Sequence, residues 1–375
     1  MQTDRVQQIL GDLVGFPTIT RGPNRALIDY CAQLLEAAGF AVQIVPAASG
    51  DRFGLLARFG AGAGGLLFSA HTDVVPVEGQ DWTLPPFELT QRDGRLHGRG
   101  TTDMKGFIAC VLAMAEGLRA APPAQPVGIA LSWDEEVGCR GIPEMIDQVI
   151  PVLGRPDLCI VGEPTLLKLA IGHKGKASYR AFSAGEAGHS AMAPDFTNAL
   201  HAAADLIAEI RRVQADLMAH GAQDPDQHPA CSTIHAGVMK GGVALNIVPD
   251  SAEVLFEIRH LATETPAQIL AQLRVPEGVT ITGTGSYPGL EADPEDPAVR
   301  AFAALLPDGG AEPVKIAFGT EAGFFAALGI PTVVCGPGTM RDGHQPDEGI
   351  EIAQLVACRA LLERAVRQAV PASGR

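Results

Sequence analysis

Residues 65 to 73 read Gly65-Leu66-Leu67-Phe68-Ser69-Ala70-His71-Thr72-Asp73. A short apolar run without polar alternation is the mark of a strand buried on both faces. This one delivers an imidazole and a carboxylate at its carboxyl end. Similar runs recur at 127 to 133, 157 to 162 and 332 to 335. Helical patterns lie around them: 4 to 15, 24 to 38 with Gly39 as its stop, and 104 to 119 with Ile108, Val111, Leu112 and Ala115 on one face. Strands alternating with helices predict an α/β domain, a largely parallel mixed sheet flanked by helices.

From about residue 172 the pattern changes. A strand is expected near 174 to 183, a long helix from about 195 to 219, and strands within 230 to 260, where Ala252, Val254, Phe256 and Ile258 alternate with Glu253, Glu257 and Arg259. A helix near 266 to 274 and a strand near 278 to 282 complete an α+β unit. The division expected is therefore a discontinuous catalytic domain, 1–171 and 284–375, interrupted by an inserted α+β domain at 172–283. Gly60, Gly62 and Gly65 formally match GxGxxG, but they run into a strand instead of opening a helix, so they read as a turn and not a dinucleotide loop.

With 46% hydrophobic and 19% charged residues in 375, the chain has the balance of a folded soluble enzyme. Acidic residues outnumber basic ones 43 to 28, a net charge of −15, and no basic patch interrupts the excess. Nucleic acid and anionic membrane surfaces are thereby excluded as partners. The N-terminal stretch lacks a signal-peptide pattern and no apolar run is long enough to span a bilayer, so a cytoplasmic location is expected. Seven cysteines without a CxxC pair fit reduced, buried thiols.

Five acidic or imidazole groups follow the strand-like runs: His71 with Asp73, Asp103, Glu135-Glu136, Glu163 and His344. Open α/β sheets gather ligands beyond the carboxyl ends of their strands, so these groups are placed to converge. Each alone is an ordinary helix cap, turn residue or locally bonded histidine; together they make a donor set for zinc, cobalt or manganese. Charge favours two divalent ions, since Asp103, Glu136, Glu163 and a bridging hydroxide balance them. Asp103 is the candidate bridge, with the ions roughly 3.5 to 4 Å apart. Asp73, two residues on, is placed to accept the second ring N–H of His71. Glu135 is placed as general base and acid, but the residues leave open the reverse, in which Glu135 binds metal and Glu136 turns away.

Ser-Ala-His-Thr-Asp-Val-Val-Pro (69–76), Trp82 with Pro86-Phe87, Gly-Arg-Gly-Thr-Thr-Asp-Met-Lys-Gly (98–106), Asp-Glu-Glu-Val-Gly (134–138) and Gly-Glu-Pro-Thr (162–165) resemble the di-zinc deacylase and peptidase family over nearly the whole chain. That family includes acetylornithine deacetylase, succinyl-diaminopimelate desuccinylase, aminoacylase and glutamate carboxypeptidase. The resemblance implies a zinc-peptidase-like catalytic domain holding two divalent ions, zinc or cobalt. It implies metal ligands at His71, Asp103, Glu136, Glu163 and His344, the base at Glu135, and the orienting role for Asp73. The inserted domain is implied to act as a lid and to form a homodimer, with His189 reaching the partner's site to stabilise an oxyanion. Asn246 and Arg259 match positions that contact the substrate carboxylate. Arg259 has a plainer alternative, pairing with Glu257, and a loop histidine such as His189 is ordinarily structural.

Gly-Thr-Glu-Ala-Gly (319–323), Gly-Pro-Gly (336–338) and His-Gln-Pro-Asp-Glu (344–348) are similar to the acetylornithine deacetylase branch. The implied reaction is hydrolysis of the acetyl amide of N2-acetylornithine, with other N-acyl amino acids, succinyl-diaminopimelate or a dipeptide as rival substrates. Thr320 and Glu321 are expected to face the site, Glu321 selecting the cationic side chain unless it serves as a helix cap. A non-catalytic metal-binding homologue is the competing class, and Glu135 argues against it.

Overall fold

Leu66–His71 is a strand with all six residues buried. It lies inside a sheet of the computed structural model, which describes residues 2–307, 312–369 and 371. From one edge of this nine-stranded sheet the order runs Ala41–Pro46, Phe53–Phe59, Val127–Ser132, Leu66–His71, Leu158–Pro164, Thr332–Gly336. The last four of these pair parallel to one another, whereas the first two, at that edge, are antiparallel. A parallel arrangement needs both faces covered, and the near-continuous apolar runs are what that covering demands. Helix Lys105–Ala115 is buried at every position. It shares one apolar core with Ile9, Leu13, Leu355 and Leu362 from the first and last helices, Gln2–Val14 and Ile352–Arg367. The mixed α/β sheet flanked by helices is as expected.

The chain divides into two compact units, one of Met1–Ile171, Ala292–Val314 and Thr320–Arg375, the other of Gly172–Glu291 and Lys315–Gly319. The terminal stretches of the first run into residues 1, 370 and 372–375, which lie outside the described residues, as do 308–311. In the second unit, helix Ala199–His220 packs on an antiparallel sheet ordered Thr233–Gly241, Ser251–His260, Gly175–Ala184, Val279–Tyr287. Its core is built from Leu206, Ile210, Val213, Val254, Phe256 and Ile258. The expected boundary at 283 falls inside a strand: pairing shifts between Gly283 and Gly285 and then continues to Tyr287 against Lys176. A bulge at consecutive small residues looks, in sequence, like a strand end.

Gly60 to Gly65 form a turn between two strands, and the Gly65 amide donates to Asp157 Oδ2 at 2.7 Å. The seven cysteines are all reduced thiols, and all are buried. No described helix is long and apolar enough to cross a membrane.

Candidate metal centre

The parallel strands all deliver chemistry at the same end. His71 is the last residue of its strand; Val127–Ser132 runs into the turn that carries Glu135 and Glu136; Glu163 is the penultimate residue of strand Leu158–Pro164. Thr332–Gly336 leads to the turn of His344, which adopts a left-handed φ of 61°. Asp103 comes from the loop that feeds helix Lys105–Ala115. Gly162 brings that helix and the strand of Glu163 together: a Cβ there would lie 2.0 Å from Phe107 Cδ1. A larger residue would push the two carboxylates apart.

Asp103 stands between two imidazoles. Its Oδ1 is 3.1 Å from His71 Nε2 and its Oδ2 is 3.2 Å from His344 Nε2. Each imidazole has a further carboxylate of its own: Glu163 Oε1 lies 3.6 Å from His71 Nε2, and Glu136 Oε2 lies 2.9 Å from His344 Nε2. Donor atoms of His71, Asp103 and Glu136 lie within 4.8 Å of one another, and so do those of His71, Glu135 and Glu163. Both members of the Glu135-Glu136 pair therefore reach the cluster. They differ in partners: Glu135 Oε1 accepts from the Cys139 thiol at 3.3 Å, whereas Glu136 faces His344.

Asp73 braces this group in two ways. Its main-chain oxygen is 3.0 Å from His71 Nδ1, nearer than its carboxylate Oδ1 at 3.5 Å. The carboxylate instead accepts from the amides of Glu135 (3.1 Å) and Glu136 (3.2 Å). One residue thus sets both the ring of His71 and the turn of the two glutamates.

Burial pushes Glu136 up to about 7, with Asp103 adding to the rise. Burial likewise holds Glu135 and Glu163 well above the ordinary carboxylate value. Burial would raise Asp103 too, but hydrogen bonding from His344 and His71 holds it well below that range. His344 is lifted to about 10 by Asp103 and Glu136. Burial would depress His71, yet Asp103 and Asp73 keep it well above 6.5. Protons are therefore held where cations would relieve the same crowding of charge. Glu136 Oε1 is buried and, among the described residues, has no hydrogen-bond partner. Imidazole nitrogens and carboxylate oxygens, one carboxylate facing both ways, fit a pair of divalent ions.

Thr320 and Glu321 are both buried in the same unit. Glu321 occupies the cap position of helix Ala322–Ala327 but makes no side-chain cap bond; the Ala322 amide donates to Thr320 Oγ1 instead. Glu321 Oε2 accepts from Ser132 Oγ at 2.8 Å, its Oε1 has no partner among the described residues, and burial pushes it up to about 7. In the second unit His189 is exposed and its Nδ1 accepts from the Ala191 amide. Asn246 is exposed, its main-chain carbonyl accepting from the Ser190 amide. Arg259 donates to Glu257 Oε1 at 3.0 Å and to Tyr287 Oη at 2.8 Å, the plainer pairing anticipated for it. Sequence reasoning passed over Ser132, Cys139, Arg99 and Glu348. Only the last two carry a signal: Arg99 and Glu348 lie inside the motifs 98–106 and 344–348 that also supply Asp103 and His344.

Donors for two divalent ions grouped beyond the carboxyl ends of parallel strands are the equipment of a hydrolase that acts on amide bonds. Residues 67–368 match Peptidase family M20/M25/M40, and the chain belongs to that family. It is 31% identical over 380 residues to an acetylornithine deacetylase of Pasteurella multocida (strain Pm70), covering 96% of this chain and 97% of that one. An acetylornithine deacetylase of Myxococcus xanthus is 33% identical, with 95% of each covered. The fold is shared with an M20 family metallo-carboxypeptidase, Sso-CP2, from Sulfolobus solfataricus, at TM-score 0.79 and 18% identity over 97% of this chain and 98% of that one. It is shared also with the Bacillus subtilis YXEP protein, a dinuclear metal binding peptidase, at TM-score 0.69 and 16% identity over 97% of each.

Proposed function

We propose that the protein hydrolyses the acetyl amide of N2-acetyl-L-ornithine to L-ornithine and acetate, a step toward arginine in the cytoplasm. Two divalent ions, zinc or in its place cobalt, would be held by His71 and Glu163 on one side, His344 and Glu136 on the other, and Asp103 between. The observation that carries the chemistry is Asp103, whose two oxygens face two different imidazoles. The choice of substrate is supported by likeness along almost the full length to relatives that bear the name acetylornithine deacetylase.

When bound, the ions supply Lewis acidity that polarises the acyl carbonyl and makes water acidic. Glu135 takes the proton of the attacking water on a carboxylate oxygen and returns it to the departing amine nitrogen. The Cys139 thiol occupies Oε1 of Glu135, which leaves Oε2 for that proton. No covalent intermediate is required. Asp73 fixes the His71 ring and the Glu135 amide, so neither has to be reoriented during the reaction.

Substrate contacts are assigned to Thr320, Glu321, Asn246 and Arg259. Glu321, a buried carboxylate with one free oxygen, would meet the ornithine ammonium, and Arg259 would exchange Glu257 for the substrate carboxylate. His189 would stabilise the oxyanion from a second copy of the chain, with the inserted domain as lid and dimer contact. Val243 and Leu245 support such a contact, being 87% and 101% exposed in that domain. Steady-state kcat/KM on N2-acetylornithine, N-acetylmethionine, N-succinyl-diaminopimelate and a dipeptide tests the reading. N2-acetylornithine should be preferred, and preference for any other member of the panel overturns the assignment.

A further inference from the structure

Glu348 follows His344 by four residues and is 1% exposed. Its Oε1 accepts from the amides of Thr102 (2.9 Å) and Asp103 (3.1 Å), and its Oε2 accepts from the Gly100 amide (3.0 Å) and Arg99 Nη1 (2.7 Å). Every one of these bonds is to the loop that ends in Asp103.

Arg99, also 1% exposed, carries the connection onward. Its Nη2 donates to Gln80 Oε1, its Nη1 reaches the Gln345 carbonyl at 3.4 Å, and its guanidinium stands 4.9 Å from the Trp82 ring centroid. Gln80 Nε2 donates to the His344 carbonyl at 2.8 Å. The turn so held is one the backbone resists, since His344 and Asp347 both adopt left-handed φ without being glycine. Asp347 Oδ1 is in turn fastened by the amides of Thr83 and Leu84. The circuit runs from Asp103 through Glu348, Arg99 and Gln80 to His344, joining two residues far apart in the chain.

A buried ion pair is a poor device for stability, because desolvation offsets most of its attraction and apolar packing does as well or better. Its advantage is directional. We propose that Glu348 is a positioning residue for the reaction: it fixes the loop that aims Asp103 between the two imidazoles and, through Arg99 and Gln80, the turn that presents His344. This rests on the reading of Asp103 and His344 as ion-holding residues.

Metal-free protein titrated with Co²⁺ reports affinity, stoichiometry and the visible absorption spectrum together, and kcat and KM follow on the loaded enzyme. Glu348→Gln should weaken uptake about 10- to 100-fold, alter the spectrum and lower kcat with little change in KM. Gln80→Ala, at a less buried site, should weaken one Co²⁺ equivalent and spare the other. Arg99→Lys keeps the charge opposite Glu348 but loses the second arm, so it should resemble Gln80→Ala. If Glu348→Gln does not fold, these two variants decide. Variants that lose only thermal stability, with Co²⁺ affinity, spectrum and kcat unchanged, make the network structural and overturn the proposal. Failure of the wild-type protein to take up two equivalents overturns the metal-centre reading itself, and the proposal with it.

Discussion

Glu321→Gln separates a buried charge from a buried shape. Glu321 is 2% exposed, has among the described residues one hydrogen-bonding partner, Ser132, and is pushed by burial from 4.5 up to about 7. Because the folded value lies above the unfolded one, this group's contribution to stability is complete below about pH 4.5 and is lost as pH rises through about 7. A tenfold change in the proton equilibrium is worth about 1.4 kcal/mol, so the charged side chain costs the fold about 3 kcal/mol near pH 8 and less than about 1 near pH 5. Glutamine has the same outline and does not titrate. Its amide adds a fixed penalty of about 1–3 kcal/mol if an N–H is left unpaired, equal at every pH, so the pH dependence isolates the charge. Urea unfolding of chelator-treated wild type and variant should show the variant gaining about 2–3 kcal/mol relative to wild type between pH 5 and pH 8. A stability difference that stays constant with pH would refute the argument that Glu321 is an uncompensated buried acid. The same variant tests selectivity: its preference for N2-acetylornithine over N-acetylmethionine should shrink.

Glu135→Gln should retain both metals by elemental analysis and lose about 10²- to 10⁴-fold in kcat; normal turnover would remove Glu135 from its role as base. Asp73→Asn cannot accept from both glutamate amides and should weaken metal affinity or activity by about 10- to 100-fold, checked by Co²⁺ titration. Zinc should raise the melting temperature of chelated protein more near pH 7.5 than near pH 5.5. One linkage sets the direction: the protons held by the ligands compete with the metal. Ligands such as Glu136, raised to about 7, must lose protons to bind metal. His344, raised to about 10 by Asp103 and Glu136, must give up its proton to bind metal as well, which rising pH also eases. An equal or larger shift near pH 5.5, read by calorimetry, would count against this centre.

What could be read from the chain in advance was whatever is local and strongly periodic. The strand Leu66–His71 and the all-buried helix Lys105–Ala115 announce themselves by composition, and with them the placement of His71 and Asp103. The outer strands Ala41–Pro46 and Phe53–Phe59 went unidentified, because one is largely exposed and the other mixes burial classes, so neither carries a clean pattern. Helix Ile142–Leu153 contains Pro151, which ordinarily argues against a helix interior. The site was legible as a set of residue types at strand ends, not as a geometry. That the backbone carbonyl of Asp73 lies nearer His71 than its carboxylate, and that Cys139 occupies Glu135, depend on turns whose shape no periodicity encodes.

The turns also explain why the long-range partners were the hardest to foresee. A strand fixes where its last residue points to within the twist of the sheet, which is why His71 and Glu163 needed only their strands. Asp103 and His344 sit on loops, where the backbone has no ladder to hold it, and their aim must come from elsewhere. In this chain it comes from polar side chains: buried Glu348 on the amides of Thr102 and Asp103, and half-buried Gln80 on the carbonyl of His344. Polar groups this deep are tolerated only when their hydrogen bonds are made, so the same bonds that satisfy Glu348 also hold Asp103 where both imidazoles can share it.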